Sequence, residues 1–257
     1  MRGRLIVVQF NALQYREFKM TTPLFRDDAY LRTCEAEVIG VNERGGIVLD
    51  RTVFYATGGG QPGDSGALEL EDGTKLEIAT AVYEEDKKTI VHVPSEGQNL
   101  PGTGSRVTAH IDWARRYRLM RIHTALHLLS VALPFPVTGG QIGDPEGRLD
   151  FDMGDETIDR DALVEKLNAL ASGDHEVTTQ WITDEELDAN PGLVKTMSVK
   201  PPRGSGKVRL VRIGSDVDLQ PCGGTHVTRT SEIGVLDLGK IENKGKQNRR
   251  VRIRLTD

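Results

Sequence analysis

Two short motifs with the same internal spacing most constrain how this chain can fold. HTALH places His123 and His127 four residues apart, and CGGTH, much later, places Cys222 and His226 four residues apart. In a helix, positions i and i+4 lie on one face, and a Gly-Gly-Thr turn lets a thiol and an imidazole fold back toward one point. Imidazole and thiolate ligands together suit zinc. The sequence therefore predicts a tetrahedral zinc site of His123, His127, Cys222 and His226.

These donors leave the role of the metal open. Four protein ligands close a structural site, whereas catalysis needs a displaceable ligand or an expanded coordination shell. Each motif alone also suits a non-metal role, as a hydrogen-bonded pair of core histidines or a small buried thiol. A zinc metalloprotease is disfavoured because HTALH lacks the glutamate of H-E-x-x-H.

Short segments rich in Val, Ile and Thr, separated by turn residues, indicate a β-rich N-terminal part. The predicted strands are Thr33–Val41, Gly46–Tyr55, Gly66–Leu70, Leu76–Tyr83, Thr89–Val93 and Arg106–Ile111. Closely spaced short strands predict a small β-barrel.

The pattern changes at Asp112, a suitable N-cap for a helix that is apolar on nearly all faces and stops before Pro134. Further helices are predicted at Arg160–Ala171 and Asp184–Ala189. Further strands are predicted at Glu176–Ile182, Val208–Ile213, Gly234–Glu242 and Arg249–Leu255. This order predicts an α+β fold in which the barrel is followed by an α/β two-layer sandwich. The predicted organisation is an extension over 1–19, a barrel domain over 20–111 and a second domain over 112–257.

Composition limits the class of protein. With 33 Lys and Arg against 38 Asp and Glu, the net charge of −5 excludes a uniformly basic nucleic-acid binder but leaves room for a local basic face. Two cysteines cannot form a disulfide framework, which favours an intracellular, cytoplasmic protein. No apolar run approaches the ~20 residues of a membrane span.

A glycine-rich segment, FYATGGGQPGDSG, occupies Phe54–Gly66. It is neither a P-loop nor a dinucleotide fingerprint, because no GK[ST] and no helix-forming run follow, so no nucleotide cofactor is expected. Three consecutive glycines suit close approach of the backbone to a ligand. They equally suit a tight barrel turn in which Asp64 forms an Asx-turn.

Basic residues are concentrated in the half that holds the predicted metal ligands, which favours a phosphate-binding rim over a merely solvated face. The candidate nucleic-acid contacts are Arg115, Arg116, Lys200, Arg203, Lys244, Lys246, Arg249 and Arg250.

Together these motifs resemble the AlaX family of free-standing alanyl-tRNA editing proteins, which is similar to the editing domain of alanyl-tRNA synthetase and to the second additional domain shared with threonyl-tRNA synthetase. The matching stretches are the glycine-rich segment, RRYRLMRIHTALHLLS, GRLDFD, LVKTMSVKPPRG, DLQPCGGTHVTRTSEIG and KIENKGKQNRRVRI. They run in order from about residue 20 onward. The glycine-rich segment makes the chain similar to the longer AlaX class.

The resemblance implies a zinc-dependent deacylase that acts on mischarged tRNA specific for alanine. The enzyme would hydrolyse the ester that links serine to this tRNA, with glycine as a second candidate amino acid. It implies that His123, His127, Cys222 and His226 hold the zinc. The substrate pocket would contain Thr57, Gly58, Gly59, Gly60 and Gln61.

Chemistry suggests roles within that pocket. A site that hydrogen-bonds the serine hydroxyl can reject alanine, because alanine would leave a buried polar group unpaired. Thr57 is the candidate for that contact, and Gln61 is the candidate for orienting water or substrate, which makes these two the predicted catalytic residues. The main alternative is an RNA-binding module with a structural zinc. The sequence leaves a monomer and a homodimer both open.

Overall fold

The computed structural model describes residues 20–194, 206–245 and 247–256. The predicted extension over 1–19 lies outside the described residues. No described helix is both long and apolar enough to cross a membrane.

The described chain is mixed α and β, which confirms the predicted α+β class. Its strands are β1 (Thr22–Pro23), β2 (Thr33–Val41), β3 (Ile47–Leu49), β4 (Arg51–Thr52), β5 (Gly66–Leu70), β6 (Lys75–Tyr83), β7 (Ile90–Pro94), β8 (Arg106–Ile111), β9 (Val137–Gln141), β10 (Glu146–Asp152), β11 (Val177–Thr183), β12 (Lys207–Ile213), β13 (Asp218–Pro221), β14 (Leu236–Lys244) and β15 (Asn248–Leu255). Its α-helices are α1 (Trp113–Ala132), α2 (Arg160–Ser172) and α3 (Asp184–Ala189).

The N-terminal part is a closed barrel of six strands in the order β2-β3-β7-β6-β5-β8. Alternation along β2 and β6 buries every second side chain, including Val38, Leu76 and Ile78. The predicted strand Gly46–Tyr55 is shorter than expected, because β4 leaves the barrel and pairs with β1 instead. The residues after it enter the glycine-rich segment as buried coil.

The C-terminal part is a two-layer arrangement. Helices α1 and α2 pack on an antiparallel sheet of order β14-β15-β10-β9. A second antiparallel sheet, β11-β12-β13, brings β13 against α1. Asp112 caps α1 by accepting from the backbone N–H of Arg115, as the sequence predicts, and every residue of α1 from Leu119 to Ser130 is buried.

The sequence pattern misses β9, β10 and β13. In β9, Gly139 and Gly140 are typical of a turn, but here their lack of side chains makes room for the neighbouring strand. A Cβ on Gly140 would lie 2.9 Å from Leu149 of β10. The glycines are thus packing positions within a strand rather than chain-reversing positions.

A buried ion pair fastens α1 to the barrel. Arg116 is fully buried, and its guanidinium donates to the Asp64 carboxylate and to the backbone carbonyls of Val53 and Ala29. Asp64 also accepts from the backbone N–H of Tyr55 at 2.6 Å. The expected role of Asp64 in an Asx-turn is therefore replaced by a link between the two halves. The prediction that Arg116 contacts nucleic acid is wrong, since this side chain has no surface to offer.

The Arg116→Met variant is expected to lower the free energy of unfolding by about 3–5 kcal/mol, because it leaves the Asp64 carboxylate buried without its cation. Urea denaturation measures the change. Arg115→Met is the matched control on the same helix. It removes one partly exposed bond to the Gly63 carbonyl and should cost about 0.5–1.5 kcal/mol. Equal losses in the two variants would contradict the structural importance of the pair.

Candidate metal centre

The four predicted ligands meet in one buried cluster. One donor atom from each of His123, His127, Cys222 and His226 lies within 4.8 Å of every other. The Cys222 sulfur is 3.4 Å from His123 Nε2 and 3.3 Å from His226 Nε2. Zinc bonds of ~2.3 Å to sulfur and ~2.0–2.1 Å to nitrogen, arranged tetrahedrally, place the donors about 3.5 Å apart. The donor set therefore fits a zinc ion in both chemistry and size.

The outer nitrogen of each imidazole is engaged by another side chain. His123 Nδ1 lies 2.9 Å from the Gln61 amide oxygen, and His127 Nδ1 lies 3.0 Å from Asp218 Oδ2. His226 Nδ1 lies 3.1 Å from the Thr124 hydroxyl. Each contact turns Nε2 inward, and such contacts fix the ring orientation of metal-bound histidines.

The cysteine side of the site is built by a tight glycine loop. A Cβ on Gly224 would lie 2.2 Å from His123 Cε1, so only glycine lets this loop approach the helix. The Gly224 N–H points to the Cys222 sulfur at 3.4 Å. The three imidazoles are buried, and Cys222 is half-buried.

The electrostatics of the cluster suit a cation. Burial opposes ionisation of Cys222, but the neighbouring imidazoles of His123 and His226 outweigh it and hold the pKa of the thiol well below its usual value. Burial, with the charge of His123, lowers the pKa of His226 to about 3. A thiolate and a neutral imidazole are the forms that bind metal. For His127, burial lowers the pKa, but the hydrogen bonds to Asp218 and Cys222, together with the negative charges of these two groups, outweigh it and raise the pKa to about 9.

The glycine-rich segment forms a tight turn next to this cluster. Gly58 and Gln61 exchange both backbone hydrogen bonds, and the two residues between them, Gly59 and Gly60, have positive φ values of 57° and 84°. That geometry is the two-residue hairpin turn that glycine favours. The Gly60 carbonyl accepts from the Ile142 N–H at 2.8 Å, which ties the turn to the C-terminal half.

Gln61 lies inside the protein at 1% exposure. Its amide oxygen faces His123 and accepts from the backbone N–H of Thr225, and its amide nitrogen donates to the Thr225 hydroxyl at 2.8 Å. Gln61 therefore holds a metal ligand and the cysteine loop together. These contacts describe a residue that acts through His123 and not one that faces an open pocket.

Thr57 is exposed, and its hydroxyl anchors the start of the turn. The hydroxyl donates to the Ala81 carbonyl at 3.2 Å and accepts from the Gly63 N–H at 2.8 Å. One lone pair of the oxygen is left to accept from another donor. In the described part of the chain, the N–H groups of Gly59 and Gly60 donate to no protein acceptor, whereas those of Thr57, Gly58 and Gln61 do.

The basic run near the C-terminus is largely ion-paired. Arg250 donates two bonds to Asp150, Arg252 pairs with Glu146 and Glu242, and Arg254 pairs with Asp237. The sequence count misses most of these carboxylates because they come from neighbouring strands. Among the predicted nucleic-acid contacts, Arg250 thus has its charge neutralised, Arg115 is half-buried, Arg249 bonds a backbone carbonyl and Lys244 is exposed. Lys200, Arg203 and Lys246 lie outside the described residues.

Several residues that support the ligands escape sequence reasoning. Asp218 and Gln220 alternate on β13, immediately before the cysteine, and Gln220 donates to Asp218 at 2.7 Å. Their i, i+2 spacing ahead of CGGTH is the one signal that could place both on the ligand side of a strand. Thr124 and Thr225 lie within the two ligand motifs themselves.

The comparisons with known proteins agree with this arrangement. Residues 208–252 match the second additional domain of threonyl- and alanyl-tRNA synthetases, and residues 9–115 match the class II (A) tRNA synthetases. The chain is also 37% identical over 235 residues to the alanine–tRNA ligase of Pyrobaculum calidifontis, a match that covers 86% of this chain and 25% of the ligase.

Other relatives match this chain over nearly their whole length. The chain is 36% identical over 248 residues to the alanyl-tRNA editing protein AlaX-M of Methanosarcina acetivorans, which covers 93% of this chain and 100% of the relative. It is 35% identical over 240 residues to the AlaX-M protein of Saccharolobus solfataricus, which covers 90% of this chain and 98% of the relative. The chain belongs to the family of AlaX-M alanyl-tRNA editing proteins.

Proposed function

We propose that this protein is a zinc-dependent deacylase that acts in trans on mischarged tRNA specific for alanine, removing serine and, as a second substrate, glycine. The observation that carries the proposal is the cluster of four donors with inward-facing imidazoles, next to a glycine turn with two unengaged N–H groups. The names of the AlaX-M relatives support an editing role, and the proposed location is the cytoplasm, where the substrate is made.

His123, His127, Cys222 and His226 would hold the zinc ion, which would supply Lewis-acid chemistry toward an ester carbonyl and water. In this proposal the substrate lies against the cysteine loop and the glycine turn. The Gly59 and Gly60 N–H groups are the chain's donors for the charge that develops on the ester oxygen. Asp218 is buried behind His127 and orients that ring. In this proposal the vicinal hydroxyl of the terminal ribose relays a proton from the attacking water to the leaving ester oxygen.

Thr57 and Gln61 have different parts in the proposal. The remaining lone pair of the Thr57 hydroxyl accepts a hydrogen bond from the serine side chain, which alanine cannot give. Gln61 is a positioning residue that keeps His123 turned toward the metal and joins the glycine turn to the cysteine loop. This replaces the direct catalytic role predicted for Gln61 from the sequence.

A second candidate, a tRNA-binding module with a structural zinc, is favoured by the full set of four protein donors, which is typical of closed structural sites. The two candidates differ in whether an ester is cleaved, so hydrolysis of a charged tRNA separates them.

Incubation with seryl- and alanyl-tRNA, both made on the alanine tRNA, tests the main proposal. We expect loss of the seryl ester only, and we expect a chelator to abolish that loss and added zinc to restore it. The remaining ester is measured by acid precipitation of labelled amino acid. Tight tRNA binding without cleavage of either ester would favour the binding module.

The Asp218→Ala variant is expected to weaken zinc affinity about 10- to 100-fold, because it frees the His127 ring to turn. Competition with a chromophoric chelator measures the affinity. Asp216→Ala is the matched control, since Asp216 is an exposed carboxylate in the turn before β13 that contacts Ser215. Equal affinities in the two variants would contradict a supporting role for Asp218.

The Thr57→Val variant is expected to lower the kcat/KM for seryl-tRNA about tenfold or more, which is the effect of one lost hydrogen bond of ~1.4 kcal/mol. Thr57→Ser is the control that keeps the hydroxyl. Bound zinc is measured in both variants to exclude an effect on the metal site. Full seryl hydrolysis by Thr57→Val would overturn the proposed contact with serine.

A further inference from the structure

Arg209, on β12, is a buried cation attached to the cysteine loop. The side chain is 7% exposed, and its Nη1 donates to the carbonyls of Cys222 and Gly224 at 3.0 Å each. Both hydrogens of Nη1 are thereby used, and the guanidinium is fixed to the backbone of Cys222, a proposed metal ligand.

The other edge of this guanidinium has no partner among the residues that the structure describes. Nε is buried and bonds to nothing, and Nη2 has no acceptor among the described residues but is not enclosed. No carboxylate of the described chain lies within ion-pair distance of Arg209, in contrast to Arg116, which is also buried and faces Asp64. Burying a guanidinium N–H without an acceptor is costly. The open Nη2 group therefore indicates an acceptor that is supplied from outside the described residues.

A second cation, Arg26, comes from the barrel half. Its Nη2 donates to the Tyr83 hydroxyl at 3.3 Å, and it has no carboxylate partner among the described residues. Gln61 of the glycine turn donates to Thr225 of the cysteine loop, so the segments next to Arg26 and Arg209 adjoin each other.

Arg26 lies on the side of the glycine turn, and Arg209 lies on the side of the cysteine loop. Tyr83 and Tyr55 lie next to Gly58 of the glycine turn, at 3.8 and 3.6 Å from the position of a Cβ there, while Arg209 holds the cysteine loop. A ligand that contacts both arginines must therefore lie beside the proposed ester site.

We propose that Arg26 and Arg209 bind the phosphodiester that precedes the terminal adenosine of the tRNA acceptor end. The inference rests on the proposed function, since that phosphodiester is attached to the same ribose as the ester. The open Nη2 group of Arg209 and the guanidinium of Arg26 can each donate a charge-assisted hydrogen bond to an oxygen of one phosphate. Because a phosphate contact positions a nucleic acid without reading its sequence, this site sets the register of the acceptor end.

The test uses two ligands that carry no amino acid and differ only at the phosphate. The zinc-loaded full chain is titrated calorimetrically with the dinucleotide cytidylyl-(3′→5′)-adenosine and with its methylphosphonate analogue, which has nearly the same shape but no charge. We expect the phosphodiester to bind about 10- to 100-fold more tightly. In Arg26→Gln, this preference should fall to about threefold or less, and in Arg209→Lys it should fall to an intermediate value.

Arg254→Gln is the matched control, because it removes the same charge from an exposed arginine that pairs with Asp237. It should keep the full preference. Equal binding of the two ligands by the unmodified protein would overturn the proposal, as would an equal loss of preference in Arg254→Gln and Arg26→Gln. Neither ligand contains an aminoacyl ester, so the result stands even if seryl-tRNA is not hydrolysed. Seryl hydrolysis without a phosphate preference would reject this site alone.

Discussion

The inward orientation of three imidazoles is the constraint on which the rest of the structure depends. His123, His127 and His226 each present Nε2 to the cluster because Gln61, Asp218 and Thr124 engage the opposite nitrogen. These three partners come from the glycine turn, β13 and α1. The donor cluster therefore forms only when the barrel, the second sheet and the buried helix are packed together.

The barrel is part of the metal site and not an independent appendage. Gln61 extends from it to His123 and Thr225, while Arg116 extends in the opposite direction from α1 to Asp64. At a third point, the Tyr30 hydroxyl donates to Glu232 at 2.6 Å, which links the N-terminal part to the loop that follows the cysteine motif. Three polar links with long sequence separation fix the two halves in one orientation, which keeps the glycine turn beside the cysteine loop.

Local patterns in the sequence predict those parts of the fold whose cause is local. β2, β5 and β8 begin and end at the predicted residues, because their alternation and flanking turns are contained in the segment itself. The four ligands are predicted because i, i+4 spacing and the glycine loop determine where two donors point. The ring partners are different, since Asp218 and Gln61 gain their roles only when distant segments meet. Arg116 shows the same limit. Arginine is usually exposed, but this side chain is buried because it pairs with Asp64, which is distant in the sequence.

Charge pairing in three dimensions also separates two kinds of arginine that look alike in the sequence. On β15, Arg250, Arg252 and Arg254 have carboxylates from adjacent strands, so this face carries alternating charge and offers a polyanion little net attraction. With a net charge of −5, a polyanion is not drawn to the protein as a whole.

In the described part of the chain, Arg26 and Arg209 have no such carboxylates, and Arg209 is buried. A buried arginine with an unsatisfied N–H is locally inconsistent in stability terms, and such inconsistencies concentrate at functional sites. The attraction for an anion is therefore strongest where the cysteine loop and the glycine turn meet, which is where the proposed reaction requires the end of a nucleic acid.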